Sequence, residues 1–246
     1  MPSVLNVSAY LFTRLDDPHA LRGVVRERAG RAGLKGTILL AEEGINLFLA
    51  GDETRLRGFL AELREDPRFD ALTAKESWSE RQPFGRMLVK VKREIIRMDH
   101  PTIRPAAGRA PAVAPATLRR WIDDGRDDDG RDLVLLDTRN AFEVGYGSFA
   151  NAIDWRIDRF SRFPDAVAAH RADLEGKTVV TYCTGGIRCE KAALYLREQG
   201  IEALQLEGGI LGYFDAVGGE HWTGECFVFD EREALTPHIA PSATLG

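Results

Sequence analysis

Residues 178–199 restrict the fold more than any other stretch of the chain. An unbroken β-prone run, Thr178-Val179-Val180-Thr181-Tyr182, passes through Cys183 and a Thr184-Gly185-Gly186 turn. It then enters a helix, expected over Cys189–Gln199, with Ala192, Ala193 and Leu196 on its inner side. A strand without polar alternation is buried on both faces, as in a parallel sheet covered by helices. Leu133-Val134-Leu135-Leu136 upstream reads the same way, and a helix is expected before it over Ala116–Asp124. Strands alternating with helices imply an α/β unit with a parallel sheet. In such sheets ligands bind beyond the carboxyl ends of the strands, which is where Cys183 lies.

The loop after Cys183 has a chemistry of its own. Gly185 and Gly186 let the backbone curl, so that successive amides of Thr184, Gly185, Gly186 and Ile187 point at one spot and form an anion-binding nest. The positive end of the following helix and the Arg188 cation act in the same direction, so the Cys183 thiol is expected to ionise below its reference of about 8.5. The alternative is a structural core cysteine, which a Gly-Gly loop ahead of a helix disfavours. Four residues separate Cys183 from Arg188. Phosphotyrosine-type phosphatases have one more. The tighter ring suits the single outer sulfur of a persulfide better than the oxygens of a tetrahedral phosphate, so the spacing favours sulfur transfer or related thiol chemistry.

A chain of 246 residues with 44% hydrophobic and 29% charged residues is expected to fold as two domains. No apolar run reaches the roughly 20 residues of a membrane helix. Met1–Phe12 lacks a basic leader region, so the expected location is the cytoplasm, with no membrane partner. The three cysteines, Cys183, Cys189 and Cys226, are expected as free thiols rather than a disulfide framework. The net charge of −5 divides unevenly: residues 1–97 hold 17 Lys+Arg against 14 Asp+Glu, leaving 16 against 24 for the remainder. A polyanion is therefore better met by the first half.

That first half alternates in type. Val4–Phe12 is a strand, and Asp17-Pro18 opens a helix carrying Leu21, Val24, Val25 and Ala29, closed by Gly33. Thr37–Leu40 and Ile45–Leu49 form a hairpin around Glu42-Glu43-Gly44, and Asp52 caps a helix with Leu56, Phe59, Leu60 and Leu63. Leu72–Trp78 and Met87–Ile96 supply the remaining strands. The order β-α-β-β-α-β suggests a ferredoxin-like (acylphosphatase-like) α+β sandwich over residues 1–98. Residues 99–114, rich in Pro, Ala and Gly, read as a linker to a second domain over residues 115–226, followed by a tail over 227–246.

Asp137-Thr138-Arg139, Glu143, Gly147, the loop Cys183–Arg188 and the late Gly208-Gly209 resemble the rhodanese homology domain. Asp137 and Arg139 are expected to form an internal ion pair that ties the strand end to neighbouring loops. A wider set resembles the TrhO family of tRNA uridine(34) hydroxylases: Lys35-Gly36-Thr37, Glu43-Gly44-Ile45-Asn46, Cys183 to Lys191, and Gly224-Glu225-Cys226-Phe227-Val228-Phe229-Asp230. That resemblance implies a ferredoxin-like domain joined to a rhodanese domain, with tRNA as partner and molecular oxygen as co-substrate. It also implies conversion of the wobble uridine to 5-hydroxyuridine, with Cys183 as catalytic cysteine and persulfide carrier and Arg188 closing its loop. Cys189 is expected either as a small packing residue or as a resolving thiol, and Cys226 as buried.

No cofactor is evident: no dinucleotide motif or iron-binding histidine triad is visible, and the sulfur or electron donor is unidentified. No metal site is expected, since the chain ends at Gly246 without the further cysteine pairs of longer family members. Arg86, Lys90, Lys92, Arg93 and Arg97 form the densest basic cluster and are candidate tRNA contacts, with Trp78 and Phe84 as stacking groups; a solvated strand face is the alternative. Two other functions remain open. One is a sulfurtransferase acting on a small acceptor or protein. The other is an anion-binding module, which would have no need of the nucleophile.

Overall fold

The computed structural model describes residues 3–242. The chain forms two compact units: Met1–Arg97 with Phe229–Arg232, and Met98–Val228 with Glu233–Gly246.

The first unit contains β1 (Val4–Phe12), α1 (Pro18–Arg31), β2 (Lys35–Ala41), β3 (Gly44–Gly51), α2 (Glu53–Arg64), β4 (Ala74–Ser79) and β5 (Met87–Val91). Its sheet runs β4-β1-β3-β2-β5, antiparallel except for the parallel β2–β5 pair. The ferredoxin-like sandwich is present with one strand more than the expected order. Leu72–Trp78 and Met87–Ile96 each supply a strand, and β5 extends the sheet beyond β2.

Period-2 alternation places Leu5, Val7 and Ala9 of β1 with Ile38, Leu40, Ile45, Leu47 and Leu49 on the helix-facing side. Leu21, Val25 and Ala29 of α1 and Leu56, Phe59, Leu60 and Leu63 of α2 close the core over them. Burying each Leu, Ile or Phe contributes about 1.5–3 kcal/mol. Val24, expected with them, is 47% exposed. It follows Gly23 in the sequence and lies outside the stripe that Leu21 and Val25 define.

Asp52 caps α2, accepting from the Arg55 amide at 3.1 Å. Asp17 stands at the N-cap position of α1 but makes no capping bond; its carboxylate accepts from Arg68 instead. Gly44 opens β3 at φ +143°, where a Cβ would lie 2.1 Å from the Leu11 carbonyl oxygen. Only glycine fits there. Its neighbours pin the segment after β5: Glu43 accepts from the Ile95 amide at 2.7 Å, and Asn46 Nδ2 donates to Ile95 O at 3.3 Å. The Glu43-Gly44-Ile45-Asn46 motif therefore has a structural role.

The second unit contains β6 (Ala112–Val113), α3 (Pro115–Asp124), β7 (Leu133–Asp137), α4 (Ala141–Val144), β8 (Gly147–Phe149), α5 (Phe163–His170), β9 (Thr178–Tyr182), α6 (Ile187–Glu198), β10 (Ala203–Leu206) and α7 (Gly209–Val217). Three short strands follow, β11 (Trp222–Gly224), β12 (Cys226–Phe227) and β13 (Ala234–Leu235). The main sheet, β6-β10-β9-β7, is parallel throughout, with β9 wholly buried inside it.

Two expectations need correction. The segment read as a linker contains β6, which pairs with β10; its prolines lie outside the two paired residues, so composition concealed an edge strand. The segment read as a tail contains β13, whose buried Ala234 and Leu235 pair with Phe227 and Cys226. Between β12 and β13 the chain contributes Phe229–Arg232 to the first unit, where Arg232 donates to Ser77 Oγ at 2.7 Å. No helix among the described residues is long and apolar enough to cross a membrane.

Candidate active site

Tyr182 ends β9, and its carbonyl accepts from both the amide and the hydroxyl of Thr138, at 3.0 and 2.8 Å. The ends of β7 and β9 are thereby joined before the cysteine loop begins. Cys183 follows, fully buried, and the Gly186 amide donates to its Sγ at 3.2 Å. Helix α6 starts at Ile187, so the last two residues of the expected six-residue loop, Ile187 and Arg188, belong to the first helical turn. The turn begins early because Gly186, at φ +105°, occupies the N-cap and reverses the chain.

The loop is held from outside by α7. The amides of Ile210 and Leu211 donate to the carbonyls of Cys183 and Thr184, at 2.9 and 3.1 Å. With those oxygens held by α7, the Gly186 amide faces the sulfur. Gly209 permits this approach: at φ +64°, a Cβ there would lie 2.5 Å from Cys183 O and 2.7 Å from Gly186 N. The Gly208-Gly209 motif thus belongs to the site, although it lies far along the sequence from the cysteine.

Arg188 is buried, and its two Nη atoms meet the Glu143 carboxylate at 2.5 and 2.7 Å. Glu143 also accepts from the Asn140 amide at 3.0 Å, closing a capping box on α4. The sequence placed the Arg188 cation close to the thiol and did not name a partner for it. The structure adds that partner in a bidentate arrangement, the geometry a buried guanidinium requires. Beside it lies the expected Asp137–Arg139 pair, with both side chains fully buried and 2.6 Å apart at the closest atoms. Arg139 further donates to Gly147 O at 2.7 Å and to Glu143 O at 3.3 Å, and its guanidinium lies 5.3 Å from the Trp222 ring centroid. These contacts carry the strand end to β8 and α4, as the ion-pair reading anticipated.

The electrostatics separate the three cysteines. Burial is the largest influence on the Cys183 thiol and acts to raise its pKa. The Cys189 thiol hydrogen bond, the Arg188 charge and the Cys189 and Arg188 amides outweigh it, and the pKa is lowered to about 5. Cys183 is a thiolate at neutral pH. Cys226, equally buried, is pushed up to about 12 by burial, which the Arg139 charge and a hydrogen bond with Thr184 only partly offset. Cys189 donates to Gly186 O at 3.0 Å. It therefore packs the first turn of α6, and its side-chain hydrogen bond with Cys183 places it beside that sulfur. None of the three cysteines is in a disulfide.

Of the loop residues, Thr184 donates to Phe227 O at 3.3 Å, Gly185 is partly exposed, and Ile187 is buried. Arg86, Lys90, Lys92, Arg93 and Arg97 are all exposed and lie in the first unit. Trp78 does not join them. It lies on β4, at the opposite edge of the sheet from β5, four strand spacings or about 19 Å away. Phe84 lies in the connection between those edges. Among the described residues, no group of three or more His, Cys, Asp or Glu side chains is arranged to hold a metal ion.

Family models match both units: the UPF0176 acylphosphatase like domain over residues 4–95 and the rhodanese-like domain over residues 114–216. A tRNA uridine(34) hydroxylase of Variovorax paradoxus is 64% identical over 244 residues, covering 99% of this chain and 93% of the relative. One of Bordetella avium is 62% identical, covering 97% of this chain and 99% of the relative.

Proposed function

Because the chain belongs to the tRNA uridine(34) hydroxylase family, we propose that it hydroxylates C5 of the wobble uridine of tRNA and that Cys183 is its essential thiolate. The observation that carries the reading to particular atoms is the buried Cys183 sulfur accepting from the Gly186 amide, with the Cys189 side chain and the Arg188 charge lowering its pKa to about 5. A thiolate with a pKa near 5 is a nucleophile throughout the physiological range, while the Glu143–Arg188 pair holds the first turn of α6 against the loop. The co-substrate is molecular oxygen. One oxygen atom enters the C5–H bond and the other leaves as water, with two electrons and two protons supplied by a reductant. A tRNA substrate supports a cytoplasmic location, where mature tRNA is found.

Mass spectrometry of tRNA nucleosides tests this in a strain lacking the gene. Wobble 5-hydroxyuridine is expected to fall in the deletion strain, return with the wild-type chain, and stay low with Cys183→Ala. An unchanged level in a deletion strain that also lacks any second route to this nucleoside overturns the proposal. The tight four-residue spacing keeps a sulfurtransferase reading in view. That reading expects thiocyanate from thiosulfate and cyanide, with a persulfide on Cys183.

A further inference from the structure

Phe142 is 53% exposed, which for a single surface residue would need no explanation. It is not single. Its ring meets Phe227 edge to face, with centroids 5.2 Å apart at 84°, and the Tyr146 ring lies 5.2 Å from Phe227 on a tilt of 56°. Phe227 and Tyr146 are themselves only partly buried. The three rings form one aromatic cluster with Phe142 on its exposed side.

This surface is fastened to the thiolate loop at two points. Phe142 immediately precedes Glu143, whose carboxylate grips Arg188 at 2.5 and 2.7 Å. Phe227 accepts the Thr184 hydroxyl through its carbonyl at 3.3 Å, and Thr184 is the residue after Cys183. A third bond, from the Glu225 amide to Tyr146 O at 2.8 Å, ties the strand leading to Phe227 to the turn carrying Tyr146. The rings are therefore held in place rather than carried on a loose loop, so little side-chain freedom is lost when a flat ligand settles on them.

We propose that Phe142, Tyr146 and Phe227 are a stacking platform for the target uracil, with Phe142 as its principal contact. The inference rests on the functional reading above and deepens it by naming the group that receives the base. A uridine in an anticodon loop presents C5 to an enzyme only after leaving its neighbours, and aromatic side chains offset the lost stacking. The platform is uncharged and sequence-tolerant by nature, since every base has a π face. It positions the base and does not enter the chemistry.

The test measures binding of two anticodon stem-loop RNAs to the full chain without oxygen, one carrying uridine 34 and one abasic at that position. Wild type is expected to bind the uridine form about 5- to 150-fold more tightly than the abasic form, the range that loss of one base–aromatic stack implies. Phe142→Ala should lose that preference while leaving abasic binding unchanged, and Phe142→Trp should keep it. Thiolate absorbance of Cys183 should titrate as in wild type in both variants, which shows the loop intact. Equal loss for both RNAs, or no loss at all, overturns the platform. A wild-type chain that shows the preference yet never forms 5-hydroxyuridine sinks the functional reading while leaving the platform standing.

Discussion

A thiol that ionises near pH 5 makes the folded state respond to pH in a way that can be measured. The unfolded-chain value is about 8.5, so folding lowers the pKa of Cys183. The resulting stabilisation is fully present above pH ~8.5 and is lost as pH falls toward 5. Difference titration of thiolate absorbance, wild type minus Cys183→Ser, should show a midpoint near 5. A midpoint near the free-thiol value would show that the loop does not hold an anion. Cys183→Ser should also flatten the rise of stability between those two pH values. Glu143→Gln leaves Arg188 buried without its counter-charge and is expected to cost about 3–5 kcal/mol in urea unfolding. A loss below about 1 kcal/mol would place the pair among exposed, weakly coupled ones. Cys183 and Arg188 were legible because strand, glycines and helix adjoin in sequence. The role of Glu143 was not, because a carboxylate 45 residues away carries no local mark of its partner.

At the scale of elements, the loop depends on α7 as much as on its own glycines. Gly209→Ala would place a methyl 2.5 Å from Cys183 O, where backbone rather than a flexible side-chain end must move. The expected result is a lower melting temperature, a Cys183 titration midpoint raised toward the free-thiol value and loss of hydroxylation. Gly176→Ala supplies the control, since that glycine has a similar φ of +73° but open space around its Cβ. It should cost only the ~1–2 kcal/mol of a left-handed residue. Equal effects in the two variants would show that contact with the loop is not what Gly209 provides. The hairpin β2–β3, helix α2 and strand β9 were readable from alternation, capping and apolar runs. Strands β6 and β13 were not: each has two residues, too few to carry a period, and each exists only because a partner strand is waiting.

For the whole molecule, the question is which surface meets tRNA. Reversing Arg86, Lys90 and Lys92 to Glu should weaken tRNA binding and reduce the slope of log K against log salt by up to about 0.7–0.9 per lost phosphate contact. An unchanged slope would assign the docking face elsewhere. The sequence grouped these cations with Trp78 because they are close in number, and the sheet order separated them by putting β4 and β5 at opposite edges. Alternation, apolar runs and turn glycines act over a few residues and leave local traces, so the two-domain plan, the parallel sheet and the strand–Cys183–glycine turn could be read along the chain. The pairing of Arg188 with Glu143, the shaping of the Cys183 loop by Gly209, and the gathering of Phe142, Tyr146 and Phe227 beside it came with the folded chain. Those contacts join residues far apart along the chain, and nothing in local spacing records which distant side chain the folded backbone will bring within reach.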